Sequence, residues 1–194
     1  MINEQLKKFT IILGSASPRR KELLSDIGLK FSIQTTNQKE GYPTNLKEHK
    51  IAEFLAKQKA KFLSENLSKT DLLITADTIV SFTGNLLNKP KNKKEAFNTL
   101  SKLSGNTHKV ITGVCIKNHQ KEILFSVITL VTFRQLTKKE ITFYINNFNP
   151  FDKAGAYGIQ DWIGKIGIKS IEGSYSNVVG LPTAEVYQQL KLFI

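Results

Sequence analysis

The sequence predicts an α/β fold: a mixed, twisted sheet flanked by helices, as one domain or two lobes around a cleft. Three observations carry this. Short apolar runs alternate with amphipathic helical segments through the N-terminal half. Two long runs rich in β-branched residues, 108–117 and 122–134, are joined only by Asn118-His119-Gln120-Lys121, which is a hairpin signal and argues against a purely parallel sheet. A glycine-rich stretch, 152–167, then separates these strands from the C-terminal elements and is expected to line the cleft.

The elements follow in order. Phe9 to Leu13 reads as a short buried strand, and Leu23, Leu24 and Ile27 mark a helix over 18–27 that stops at Gly28. A strand over 29–35, a loop over 36–47 and a helix over 48–66 come next. They are followed by a strand over 72–82, a turn at Thr83-Gly84-Asn85, a strand over 86–88 and a helix over 92–103. Beyond the hairpin the pattern gives a helix over 137–147, strands near 166–171 and 176–180, and a final helix from Pro182. No repeat or linker divides the 194 residues, so they are expected to form a single domain with a central cleft.

Composition narrows the function classes. No apolar run approaches a membrane span, and residues 1–8 lack the apolar core of a signal peptide, so a cytoplasmic protein is expected. Cys115 is the sole cysteine and lies in an apolar strand, which excludes an internal disulfide and a thiolate metal cage and favours a buried, inert thiol. The net charge of +12 comes mainly from lysines spread over nearly every segment. A nucleic-acid face would instead concentrate arginine with interleaved aromatics, so no stable nucleic-acid complex is expected.

Against 28 basic side chains, arginine occurs only three times, and two of these stand together in Gly14-Ser15-Ala16-Ser17-Pro18-Arg19-Arg20. Ser17 reads as an N-cap and Pro18 as the first helical residue. A strand, a small-residue loop and a helix N-terminus thus gather backbone N–H groups, two hydroxyls and two guanidinium forks, an arrangement suited to phosphate. The bland reading of the same stretch is a capped helix with two solvated arginines.

Two charged residues sit where apolar ones belong. In the helix over 48–66 the apolar stripe reads Ile51, Leu55, Lys59, Phe62, which puts Lys59 on the buried face and leaves Lys57 and Lys61 pointing away. Either Lys59 snorkels along the core or it aims a cation into a cleft. Asp77 interrupts Leu72 to Val80, so it is either paired, hydrogen-bonded or metal-bound, or it is a turn residue between two shorter strands. Lys89, before Pro90, reads in isolation as a solvated lysine, and Glu40 as an exposed loop residue. His49, His108 and His119 belong to no catalytic pattern and are assigned surface or packing roles.

The blocks SASPRR, LAKQKA, ADTIV, NKP, LSG-x-x-H-x-V-x-TGV, VTFR-x-L, DKAGAYGIQ and GSYSNVVGLP, in this order from about Ile11 to Pro182, resemble the Maf family. These are nucleoside triphosphate pyrophosphatases, similar in fold to the inosine triphosphate pyrophosphatases. The resemblance implies a phosphate-binding loop at Ser15, Ser17, Arg19 and Arg20, and substrate contacts from Thr78 and Lys89. Glu40, Lys59 and Asp77 take the catalytic positions. Glu40 and Asp77 are the implied ligands of a divalent cation, Mg2+ foremost and Mn2+ as second choice. The form KAGAYGIQ is similar to the branch acting on dTTP and UTP, in which Gln160 reads the pyrimidine with Arg19 and Thr78. The family continues that motif with glycine, where this chain has Asp161-Trp162. A homodimer is also implied. The rival reading is a basic nucleic-acid-binding or nucleotide-sensing protein linked to cell division, which would not hydrolyse nucleotides.

Overall fold

The structure, a computed structural model, describes residues 2–37, 41–43 and 45–194. Its regular elements are α1 (Ile2–Gln5), β1 (Thr10–Leu13), α2 (Pro18–Asp26), β2 (Ser32–Ile33), α3 (Glu48–Leu63), β3 (Asp71–Phe82), β4 (Asn85–Leu86) and α4 (Lys93–Leu103). After these come β5 (Thr107–Lys117), β6 (Glu122–Phe133), α5 (Lys138–Phe148), α6 (Trp162–Gly167), β7 (Ile168–Glu172), α7 (Tyr175–Val179) and α8 (Thr183–Leu190). Among the described residues the strands form one seven-stranded sheet in the order β2-β1-β3-β5-β6-β7, with β4 pairing off β3. The sheet is mixed: β1 is parallel to both β2 and β3, whereas β4 and β7 are antiparallel to their neighbours. The expected α/β class and mixed sheet are therefore present.

The chain divides into two compact units. The first comprises residues 1–77, 112–127 and 180–194, and the second comprises 78–111 and 128–179.

In the first unit, period-two alternation sends successive strand residues to opposite faces of the sheet. Ile11 and Leu13 of β1, Leu72, Ile74 and Ala76 of β3, and Val114 and Ile116 of β5 share one core with Leu24 of α2 and Val186 and Leu190 of α8. Ile12, Leu73 and Cys115 face the other way, onto Ala56 and Ala60 of α3. Both faces are covered, which is why these strands read as unbroken apolar runs. The helix approaches closely because its contact residues are small: a side chain on Gly113 of β5 would collide with the backbone of Ala52. Thr75 Oγ1 donates to Ala56 O at 2.7 Å and ties β3 to the same helix.

The second unit packs α4, α5 and α6 with β-strand residues Val80, Val110, Val131 and Phe133 around a core that includes Tyr144 and Tyr157. Within it, His108 is buried, with Nε2 2.8 Å from Tyr157 Oη and its ring stacked on Phe133. Burial holds its imidazole down to about 4, so the packing role expected of it is met.

Three expectations fail locally. The strand over 29–35 shrinks to Ser32–Ile33, which pairs with Ile12 and Leu13. The strand expected over 176–180 is the helix α7. Ser174 Oγ accepts from Asn177 N at 3.2 Å and its carbonyl accepts from Val178 N at 3.3 Å, so local capping outweighs the β propensity of Val178-Val179. The glycine-rich stretch hides α6, whose Gly164 and Gly167 are buried, and a Cβ at Gly164 would run into the Ile159 backbone. Glycine marks close approach there rather than a loop.

Candidate active site

The first unit builds a site at the carboxyl end of the parallel pair β1 and β3, the edge where open α/β sheets place ligands. Gly14 extends the register by donating its N–H to Ile74 O at 2.8 Å. A side chain at position 14 would stand 2.5 Å from Thr75 Cγ2, so glycine lets the loop leave the sheet at this point. Ser17 caps α2 in extended conformation (φ −67°, ψ 119°), its Oγ accepting from Arg20 N at 3.4 Å, and Pro18 opens the helix. Ser15 Oγ accepts twice, from Ser17 N at 3.2 Å and from Arg20 Nη1 at 3.3 Å. Arg20 Nε donates to Gly180 O at 2.8 Å. The guanidinium is thereby held on two sides beside a helix N-terminus, with Arg19 half-buried next to it. Such an arrangement attracts an anion through both charge and directed N–H groups.

From the same strand end rises the acid. Residues 72–76 and 79–81 of β3 are buried, and Asp77 and Thr78 are the half-buried break between them. By alternation Asp77 shares the face of Leu73 and Thr75, which is the face covered by α3. Lys59 lies one turn beyond Ala56 on that helix, and its Nζ donates to Asp77 Oδ1 at 2.5 Å and to Ala76 O at 3.4 Å. The Lys59 and Asp77 side chains are 14% and 16% exposed, so the pair is largely withdrawn from water while one edge stays reachable. Both misfits of the sequence therefore resolve into one ion pair. Lys57 and Lys61 are exposed, and β3 runs on through Asp77 without a turn.

The remaining candidates fall elsewhere. Glu40 lies outside the described residues. Its neighbour Gly41 donates its N–H to Gln58 Oε1 at 3.3 Å, one residue from Lys59. Thr78, Lys89 and Gln160 belong to the second unit. There Lys89 is exposed before a buried Pro90, and Gln160 is half-buried in the turn before α6. The two segments are joined by Gly155 N donating to Leu87 O at 3.0 Å.

Among the described residues, no group of three or more His, Cys, Asp or Glu gathers as a metal cage. Asp77 offers a hard carboxylate oxygen. That donor fits a cation such as Mg2+, which takes one or two carboxylates and completes its shell with water and phosphate oxygens. Cys115 is fully buried, and burial, with the Glu122 charge adding to it, pushes its thiol up to about 12, so the inert role expected of it holds. No helix among the described residues is long and apolar enough to cross a membrane.

Sequence reasoning missed the Gly180 carbonyl that orients Arg20. The block GSYSNVVGLP flags the region, but a backbone acceptor leaves no side-chain signature.

The fold and this site are those of an α/β protein that presents a capped helix N-terminus with two arginines and a lysine-paired carboxylate toward the carboxyl end of its parallel strands. Residues 10–193 match the Maf-like protein family, and the chain belongs to that family. Similar relatives include three named dTTP/UTP pyrophosphatase. That of Flavobacterium johnsoniae is 45% identical over all of both chains. That of Phocaeicola vulgatus is 48% identical over 97% of this chain and 98% of its own. That of Christiangramia forsetii is 49% identical over 98% and 97%. A solved nucleoside-triphosphatase / dITP/XTP pyrophosphatase from Mycobacterium abscessus aligns at a TM-score of 0.38 with 11% identity, covering 64% of this chain and 73% of its own, a likeness too distant to carry an argument.

Proposed function

We propose that this protein hydrolyses nucleoside triphosphates, dTTP and UTP foremost, to the monophosphate and pyrophosphate in a reaction that needs a divalent cation. Membership of the Maf-like family and the names of its near relatives support the reaction and the pyrimidine preference. The observation that carries the reading is that the Ser15–Arg20 loop leaves β1 at Gly14, bonded to Ile74 of β3, and that the Lys59–Asp77 pair stands three residues further along that same strand.

Cleavage between the α- and β-phosphates requires water at the α-phosphorus while charge grows on the departing pyrophosphate. Asp77 orients that water and accepts its proton, with Lys59 holding Oδ1 so that the carboxylate cannot rotate away. Arg19, Arg20, Lys59 and Lys89 neutralise the polyphosphate, while Ser15 and Ser17 add hydroxyl and backbone donors. Gln160, with Arg19 and Thr78, reads the pyrimidine edge. Glu40 and Asp77 would hold the Mg2+, Glu40 by family resemblance and Asp77 through its carboxylate beside Lys59. Bound there, the cation would draw charge off the phosphate oxygens and lower the pKa of coordinated water.

The test is to incubate the purified protein with natural and modified triphosphates, with Mg2+, with Mn2+ and with chelator, and to identify the products. Monophosphate and pyrophosphate from dTTP and UTP, abolished by chelation, are expected. Release of orthophosphate instead, or salt-sensitive DNA binding with no turnover, would sink the reading.

A further inference from the structure

The turn that carries Gln160 is closed by a buried polar clamp within the second unit. Asp161 N donates to Gly158 O at 3.1 Å, so Gln160 is the third residue of a four-residue turn. Across this turn Tyr144 of α5 reaches both ends: its hydroxyl accepts from Gly158 N at 3.1 Å and donates to Asp161 Oδ2 at 2.7 Å. Lys153 Nζ stands 3.8 Å from the same oxygen while donating to Asp152 Oδ1 at 2.7 Å. Tyr144 is fully buried, and the Lys153 and Asp161 side chains are only 13% and 17% exposed. A Cβ on Gly158 would lie 2.5 Å from Asp161 Oδ2, so the carboxylate fills the space that glycine leaves.

A withdrawn carboxylate is a poor device for stability alone, because desolvation offsets most of what its pairing returns. What it does provide is direction. The phenol can bridge Gly158 and Asp161 in one geometry only, which fixes the backbone on both sides of Gln160. Burial, with Asp161 adding to it, pushes the phenol well above its ordinary range, so it stays protonated and donating at every working pH.

We propose that Tyr144 and Asp161 are positioning residues for base selection, holding Gln160 at the angle needed to read the nucleobase. This rests on the reading of Gln160 as the base-contacting residue.

The experiment compares Tyr144→Phe, Asp161→Asn, Gln160→Ala and the double variant Asp161→Asn/Gln160→Ala with wild type on dTTP, UTP, dATP and dGTP, alongside thermal melting. Tyr144→Phe and Asp161→Asn should raise KM for dTTP and UTP roughly tenfold while kcat stays within about twofold, the scale of one hydrogen bond to a charged group. The pyrimidine-to-purine ratio of kcat/KM should shrink with it. Asp161→Asn should add little to the loss already caused by Gln160→Ala, because the clamp acts through that side chain. Unchanged KM and selectivity in folded Asp161→Asn and Tyr144→Phe, or full additivity in the double variant, overturns the proposal while leaving hydrolysis intact. A wild type that hydrolyses no triphosphate overturns the functional reading and this inference together. If Tyr144→Phe melts below the assay temperature, Asp161→Ala, which removes the acceptor of the phenol altogether, carries the decision.

Discussion

Lys59 Nζ sits 2.5 Å from Asp77 Oδ1, on a helix and a strand brought together by Ala56, Ala60 and the Thr75 hydroxyl. Asp77→Asn keeps the shape and removes the charge, so turnover should fall about a hundredfold or more, the scale of a lost general base. Steady-state kinetics on dTTP with a matched melting curve checks this. Near-normal turnover in the folded variant would remove Asp77 from the mechanism.

Arg20 uses Nε on the Gly180 carbonyl and Nη1 on Ser15. Lysine supplies the charge but not the fork, so Arg20→Lys should raise KM for the triphosphate roughly tenfold and leave the fold intact. The diagnostic is the comparison with Ser15→Ala, which removes one acceptor of Nη1 and should have a smaller effect. Equal KM values for Arg20→Lys and wild type would mean that the fork is not used for substrate.

Gly113 has no room for even a methyl group, because its Cβ would meet the Ala52 backbone of α3. Relief requires moving the helix that carries Lys59. Gly113→Ala should therefore cost on the order of 3 kcal/mol, the overpacking scale, and should also depress kcat. Chemical denaturation gives the first quantity and kinetics the second. A stable variant with wild-type kcat would show that α3 tolerates displacement.

How legible was all this in the sequence? Lys59 and Asp77 stood out because a charge on an apolar period is costly, and the structure resolves both into one pair. The small-residue loop ahead of Arg19 and Arg20 was readable from capping chemistry alone. Glu40 carried no local signal, since an acid in a polar loop costs nothing, and only the family resemblance singled it out. The helices α6 and α7 were hidden because glycine and valine propensities point away from helix, whereas close packing and the Ser174 cap decide them. The Tyr144–Asp161 contact joins α5 to the turn before α6 across 17 residues, and no local spacing predicts it.

Two groups give the stability profile separate acid legs. Burial holds His108 down to about 4 from 6.5, so between those values the unfolded chain binds a proton that the folded one refuses. Stability should fall by on the order of 3 kcal/mol as pH drops through this window, with no contribution to the slope above it. Glu140 is held down to about 2 from 4.5, first by its hydrogen bond to the Arg134 guanidinium and then by the Thr137 backbone N–H. Its contribution is complete above 4.5 and is lost between 4.5 and 2. His108→Gln should start less stable near neutral pH, having lost the ring stack on Phe133, yet show a flatter upper leg, so that its deficit narrows as pH falls. Glu140→Gln should leave that leg unchanged and flatten the lower one. Urea midpoints across the acid range measure both. If the His108→Gln curve runs parallel to wild type, some other group titrates in the upper window.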